Sequence, residues 1–268
     1  MGTYENFALR TEGHTAWVAL NRPQARNTMG ASFFRETAEI FNGLDRDPRV
    51  RAVVVTAEGK GFSAGLDLQE AGALIGDVSS AGRERTRASV LECQEAFARI
   101  ERCRKPVIAA VHGHCIGGGV DLISACDIRL AAADAVFSIR ETRIGIVADL
   151  GTLQRLPLLI GHGWFRELAL TGRDFTAEEA LKMGLVTRVC DNRELLHAAA
   201  DGIARQIAAC PPLAVEGTKD AILFSRDHGV AAGLRYAALK TAAALPSEDL
   251  LEAVAAFMEK RQPVFKGR

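Results

Sequence analysis

The chain has 268 residues, 48% of them hydrophobic and 25% charged, which excludes disordered and miniprotein classes and fits one large core, or a core with a small appendage. Thirty-three Lys and Arg balance thirty-three Asp and Glu, a formal charge of +0, so no global field draws the protein to nucleic acid or to an anionic membrane. The six cysteines, Cys93, Cys103, Cys115, Cys126, Cys190 and Cys210, form no C-x-x-C pair and read as buried thiols of a reducing compartment. No targeting leader, peroxisomal address or eighteen-residue apolar window stands in the sequence, so the expected location is cytoplasmic, away from membranes.

In chain order, the runs Phe7 to Thr11 and Thr15 to Leu20 flank Glu12-Gly13-His14 and predict a β-hairpin. Phe33, Phe34, Ala38, Ile40, Phe41 and Leu44 mark one face of a helix that Asp45-Arg46-Asp47-Pro48 stops. Ala52 to Thr56 predicts a buried strand, Arg83 to Cys103 a largely helical stretch, and Pro106 to Val111 another strand. Strand, helix, strand with crossovers implies parallel pairing. After a glycine-rich turn come a helix to Ala125 and strands at Ile128 to Ala132 and Ala135 to Ile139. Residues 1–190 therefore predict an α/β core, and 191–268 a helical cap for packing on the core or a neighbouring subunit, with helices at Asn192 to Ala209, Leu213 to Ser225, Val230 to Ala243 and Ser247 to Arg261.

Two glycine-rich turns follow strands. Gly61-Phe62-Ser63-Ala64-Gly65-Leu66-Asp67 could aim backbone N–H groups at a ligand, or could be an ordinary strand-to-helix loop. Gly113-His114-Cys115-Ile116-Gly117-Gly118-Gly119-Val120-Asp121 carries three consecutive glycines, which fits close backbone approach to a phosphate or an enolate oxygen, or close packing on a neighbour. It matches neither a Walker loop nor a dinucleotide fingerprint.

Three acids stand out: Asp121 after the glycine run, then Glu141 and Asp149 eight positions apart. Asp149 lies among Ile146, Val147, Ala148 and Leu150, where a carboxyl would have a raised pKa suited to proton transfer. It could equally cap the helix ahead of Gly151-Thr152, or pair with Arg143 or Arg155. His112 and His114 have no further partners at metal-ligand spacing, so no metal site is expected. Lys60, Lys219, Lys260 and Lys266 default to solvated surface lysines.

The segment Ile108 to Gly113, through Gly117-Gly118-Gly119-Val120-Asp121 to Cys126-Asp127-Ile128, resembles the signature of the enoyl-CoA hydratase/isomerase, or crotonase, superfamily. Asn21-Arg22-Pro23, Phe62 to Asp67 and Gly151-Thr152-Leu153-Gln154-Arg155-Leu156-Pro157 fit the same family in the same order, so the likeness spans nearly the whole chain. The resemblance implies an α/β spiral of ββα turns with C-terminal helices, assembly as a homotrimer or homohexamer, and an acyl-CoA substrate. It implies an oxyanion hole of the Ala64 and Gly118 amides, with Ala64, Gly65, Leu66, Asp67, Leu68 and Gly118 touching substrate. Two such donors would lower the barrier to an enolate by roughly several kcal/mol.

The acids then separate the branches. Typical hydratases carry glutamates at the positions of Asp121 and Glu141 and glycine near 149, so this chain departs at two of three. The trio Asp121, Glu141 and Asp149, with its surrounding Gly-Thr-Leu-Gln-Arg-Leu-Pro run, is similar to the Δ3,5-Δ2,4-dienoyl-CoA isomerase branch, which serves β-oxidation of unsaturated fatty acids. The resemblance implies that Asp149 takes the C2 proton and Glu141 returns one at C6, with Asp121 tuning its neighbours; coupled carboxylates share their titration. Coenzyme A is then part of the substrate, and no metal, nicotinamide or flavin is called for. The alternatives are a hydratase centred on Glu141, a dehalogenase with Asp149 as nucleophile, and a non-catalytic binder, which neutral charge and three retained acids disfavour.

Overall fold

The computed structural model describes residues 4–70 and 77–268. Residues 71–76 lie outside the described residues, and with them part of the stretch from Asp67 to Arg83 whose sequence is a candidate border of the acyl group.

The hairpin is β1 (Phe7–Glu12) and β2 (Thr15–Leu20), paired antiparallel around Gly13. Then follow α1 (Ala31–Arg46), β3 (Ala52–Ala57), α2 (Ser80–Arg102), β4 (Val107–Val111), β5 (His114–Ile116), α3 (Gly118–Ser124), β6 (Ile128–Ala132) and β7 (Val136–Ser138). Beyond these stand α4 (Thr152–Thr171), β8 (Asp174–Thr176), α5 (Ala177–Met183), β9 (Arg188–Cys190) and four helices: α6 (Arg193–Ala208), α7 (Pro212–His228), α8 (Val230–Ala244) and α9 (Glu248–Glu259).

Six strands form one sheet in the order β1-β2-β3-β4-β6-β9, parallel from β2 onward. Its central strands are apolar without alternation, Ala52-Val53-Val54-Val55 and Val107-Ile108-Ala109-Ala110-Val111, because both faces are covered. Val53, Val55, Val107, Ala109 and Val111 face a core shared with Phe33, Phe34 and Ile40 of α1 and Phe97 and Ile100 of α2. Val54, Ile108, Ala110 and Leu130 face the other way, onto Leu196, Ala200 and Ala204 of α6, one helical stripe at i, i+4 and i+8. A second sheet, β5-β7-β8, stands beside the first; the isolated bridge Ser63–Cys115 joins the first glycine-rich turn to its β5 edge.

The C-terminal helices are fastened to the core by buried charges. Lys219 of α7 is 6% exposed and donates to Asp127 at 2.7 Å; Lys105, also buried, pairs with Glu216 of α7. This corrects the reading of Lys219 as a solvated lysine: burial beside a carboxylate in the same helix-to-core seam accounts for it. The thiols are likewise not uniformly buried, since Cys93 and Cys190 are half-buried and Cys210 is exposed, all six being free.

Candidate active site

The two glycine-rich turns meet edge to edge. A Cβ on Gly65, whose φ is +87°, would stand 2.7 Å from the Ile116 carbonyl and 3.3 Å from Gly118 N, so only glycine permits the approach. The first turn is held from below by the segment Arg26 to Ala31. Met29 N–H donates to the Gly65 carbonyl at 2.9 Å, Asp67 N–H donates to the Met29 carbonyl at 3.0 Å, and Ala64 N–H donates to the Arg26 carbonyl at 3.0 Å.

That pattern corrects the expected oxyanion donor. The Ala64 amide is spent on Arg26, and the Gly65 amide donates to Ser63 Oγ at 3.0 Å. In a parallel bridge one residue makes both main-chain bonds to the neighbours flanking its partner. Met29 does so here, which turns the Leu66 N–H to the opposite side, toward Gly118. A Cβ on Gly118 would lie 3.7 Å from Leu66 N, and neither the Leu66 nor the Gly118 N–H has an acceptor among the described residues. The donor pair the geometry offers is therefore Leu66 and Gly118. Of the other residues expected at the substrate, Asp67 accepts from Thr28 Oγ1 at 3.1 Å and from Gln69 N at 3.1 Å, while Leu68 is exposed.

Sequence reasoning missed Asn27. This residue and Arg26 both adopt left-handed backbone, each with φ of 53°, a strain that surrounding bonds must maintain. The buried Asn27 side chain accepts from Arg22 N at 2.8 Å and donates to the Glu58 and Gly61 carbonyls at 3.0 and 3.1 Å, joining three loops under the oxyanion turn. The available signal is that asparagine tolerates this conformation better than other non-glycine residues.

The acids occupy the other wall. Asp121, 1% exposed in α3, accepts the Thr152 N–H at 2.7 Å. Asp121, not Asp149, thus supplies the carboxylate at the start of α4, whose own cap position is Gly151. Asp149 forms no salt bridge among the described residues, so neither Arg143 nor Arg155 neutralises it; Arg155 pairs instead with Glu101 at 3.0 Å. Glu141 opens a short 3₁₀ turn, Glu141–Ile144, with Oε1 3.0 Å from where a Cβ on Gly117 would stand. Its buried Oε2 has no hydrogen-bond partner among the described residues.

Burial strengthens the hold of all three carboxyls on a proton. Burial pushes the Asp121 carboxyl up to about 6, aided by the charge of Asp149 and opposed by the Thr152 N–H. Burial pushes Glu141 up to about 7, and the charges of Asp121 and Asp149 add to it. Burial also raises Asp149. Each effect follows from removing a charge from water or placing it beside another of the same sign. The half-buried Cys93 thiol of α2, raised to about 11 by burial and then by the charge of Asp149, lies near that carboxylate.

His112 is buried, with Nε2 3.1 Å from the Gly59 carbonyl, and His114 is exposed in β5. Among the described residues no three His, Cys, Asp or Glu cluster as metal ligands, and no helix is long and apolar enough to cross a membrane. A cavity of about 570 Å³ lined by Glu12, His14, Arg51, Arg205 and Phe265 includes none of Asp121, Glu141 and Asp149.

The model of the enoyl-CoA hydratase/isomerase family matches residues 10–268. The chain is 45% identical, over 97% of its length and 81% of the relative's, to the mitochondrial Δ(3,5)-Δ(2,4)-dienoyl-CoA isomerase of Homo sapiens. It is 45% identical to the peroxisomal enzyme of that name from Arabidopsis thaliana, over 98% and 96% of the two chains. The crystal structure of an enoyl-CoA hydratase from Bacillus anthracis superposes with a TM-score of 0.91 at 34% identity, covering 98% of this chain and 100% of the other. The chain is an enzyme of the enoyl-CoA hydratase/isomerase (crotonase) superfamily.

Proposed function

We propose that the enzyme isomerises 3,5-dienoyl-CoA to 2,4-dienoyl-CoA. The observation that carries this reading is a cluster of groups: three carboxyls with raised pKa, two in extensive burial, standing by a pair of main-chain N–H groups without acceptors among the described residues. The names of the human and plant relatives support it.

The thioester carbonyl accepts the Leu66 and Gly118 N–H groups, which stabilise negative charge developing on its oxygen, an effect of about 3–4 kcal/mol per donor in comparable sites. Asp149, in its charged form, removes a proton from C2. The electron pair delocalises through the C3–C4 and C5–C6 double bonds, and Glu141, in its neutral form, delivers a proton to C6. Double bonds then stand at C2 and C4. Asp121 keeps Glu141 protonated by like-charge repulsion and holds the α4 terminus through Thr152. Only protons move, so the reaction requires no metal or redox cofactor, and coenzyme A enters with the substrate.

The proposal extends to β-oxidation of unsaturated acyl chains, to a reducing, cytoplasmic setting in keeping with six free thiols, and to the 1–190 core with its 191–268 helical cap as working units. Exposed apolar side chains on the cap, Leu234, Leu239, Phe257 and Met258 among them, support assembly as a homotrimer or homohexamer. Ultraviolet absorbance with a 3,5-dienoyl-CoA, beside a 2-enoyl-CoA hydration control, tests the reaction. Rapid growth of the conjugated 2,4-dienoyl chromophore with slow hydration is expected; hydration alone would replace the isomerase reading with a hydratase centred on Glu141.

A further inference from the structure

We propose that Gln94, on the inner face of α2, is a positioning residue for Asp149: its side-chain Nε2–H donates to the Asp149 main-chain carbonyl at 2.6 Å and thereby sets where that carboxylate stands. The inference deepens the isomerase reading and rests on it for the role of Asp149.

The segment that carries Asp149 has little hydrogen bonding of its own. Between Gly145, with φ of +75°, and Gly151, with φ of +125°, there is neither helix nor strand. No main-chain N–H among the described residues donates to the Asp149 carbonyl, so Gln94 is its donor. That carbonyl shares its Cα with the side chain, and an aspartate has only two rotatable bonds beyond it, so fixing the peptide plane narrows the positions open to the carboxylate.

Helix α2 is built to supply such a fixture. Val90, Cys93, Gln94 and Phe97 follow the i, i+3, i+4, i+7 spacing of one helical face, with Phe97 fully buried in the core. Glu101, two turns beyond Gln94, takes Arg155 Nε at 3.0 Å. The Arg155 guanidinium covers Gly151, where a Cβ would meet Nη1 at 1.8 Å, and Nη1 lies 3.4 Å from the Leu150 carbonyl. The rigid helix thus grips the 149–155 segment at both ends. The titratable groups around Asp149 are Cys93 from α2, Asp121 from α3 and Glu141 from the 3₁₀ turn, with the Arg155 cation on the far side of Gly151. A displacement of about 1 Å in a reacting group costs on the order of 100-fold in rate.

Gln94→Met keeps the length and packing of the side chain and deletes the donor; Gln94→Asn shortens it by one methylene and guards against disturbance from the thioether. In both, kcat for 3,5-dienoyl-CoA is expected to fall about 10–100-fold with KM within about twofold. The acid limb of the pH profile should move to lower pH, because a loosened segment admits water to Asp149. Carbon-13 titration of the Asp149 carboxyl reads the same downward shift without substrate. If the wild-type protein fails to isomerise while the variants still shift that titration, the isomerase reading falls and the positioning role stands. Folded variants with wild-type kcat and an unmoved Asp149 titration would overturn the role of Gln94.

Discussion

The oxyanion wall and the acid wall of the pocket are made in opposite ways. On the oxyanion wall, main-chain donors are aimed by satisfying their neighbours in the first glycine-rich turn: Arg26 takes Ala64, Ser63 takes Gly65, and Met29 bridges past Leu66, leaving the Leu66 N–H, like that of Gly118, without an acceptor among the described residues. On the acid wall, side chains are left under-satisfied, with Glu141 Oε2 unpartnered among the described residues, all three carboxyls raised by burial, and Glu141 raised further by the charges of Asp121 and Asp149. In the proposed reaction the first wall stabilises the charge that appears, and the second supplies carboxyls whose hold on a proton is strengthened by burial. Stability favours the first arrangement and opposes the second.

The largest expected effect breaks the acid wall. Asp149→Asn keeps shape but cannot accept a proton, and isomerisation should fall by at least about 1000-fold while the melting temperature stays within a few degrees. Near wild-type turnover would remove Asp149 from the chemistry. On the other wall, replacing Leu66 by its α-hydroxy analogue turns the N–H into an ester oxygen without altering the side chain. A loss of about 100-fold in kcat is expected there, whereas the same change at Ala64 should register mainly as lost stability through its bond to Arg26. Equal kinetic losses at 64 and 66 would contradict the assignment of the donor.

Asp121→Asn sharpens the contrast by separating the pH dependence from stability. In the proposed mechanism, activity requires charged Asp149 and neutral Glu141, so it should be lost on the acid side through the former and on the alkaline side through the latter. Removing the Asp121 charge lowers the Glu141 pKa from about 7, and the alkaline limb of kcat/KM should move to lower pH. Because the folded-state pKa of Asp121 is raised to about 6, the native state holds more protons than the unfolded one above pH 4. Its contribution to stability therefore falls as pH rises from about 4 through 6. Asparagine escapes that loss while still able to accept the Thr152 N–H. The variant should consequently melt at or above the wild-type temperature at pH 8, by calorimetry, and a lower melting temperature there would contradict the burial penalty assigned to Asp121.

The same contrast explains what could be read in the sequence. Long apolar runs such as Val53 to Val55 and Val107 to Val111 announce parallel strands, and Phe33, Phe34, Ile40 and Leu44 announce α1, since burial imposes its period directly on residue type. The three-residue strands His114–Ile116, Asp174–Thr176 and Arg188–Cys190 are too short to show a period, whereas Val136–Ser138 could be read as part of the run from Ala135 to Ile139. Helix α4 contains Pro157 and departs from helical geometry at Gly161, so the breaker residues concealed its length. Asp149 could be picked out because a carboxyl in apolar surroundings is unusual, Asp121 because it follows the glycine run, and Glu141 through the family resemblance. The oxyanion donor could not: whether Ala64 or Leu66 has a free N–H depends on the register with Met29, far off in sequence, and Gln94 looks like any polar residue on a helix.

Isomerisation of 3,5-dienoyl-CoA in D₂O, with the product examined at C6 by NMR, tests the division of labour between two acids most directly. Deuterium from solvent at C6, with C2 exchange abolished in Asp149→Asn, is expected if Asp149 takes one proton and Glu141 gives another. Return to C6 of the hydrogen removed from C2 would contradict it, because a single group would then have carried the proton across.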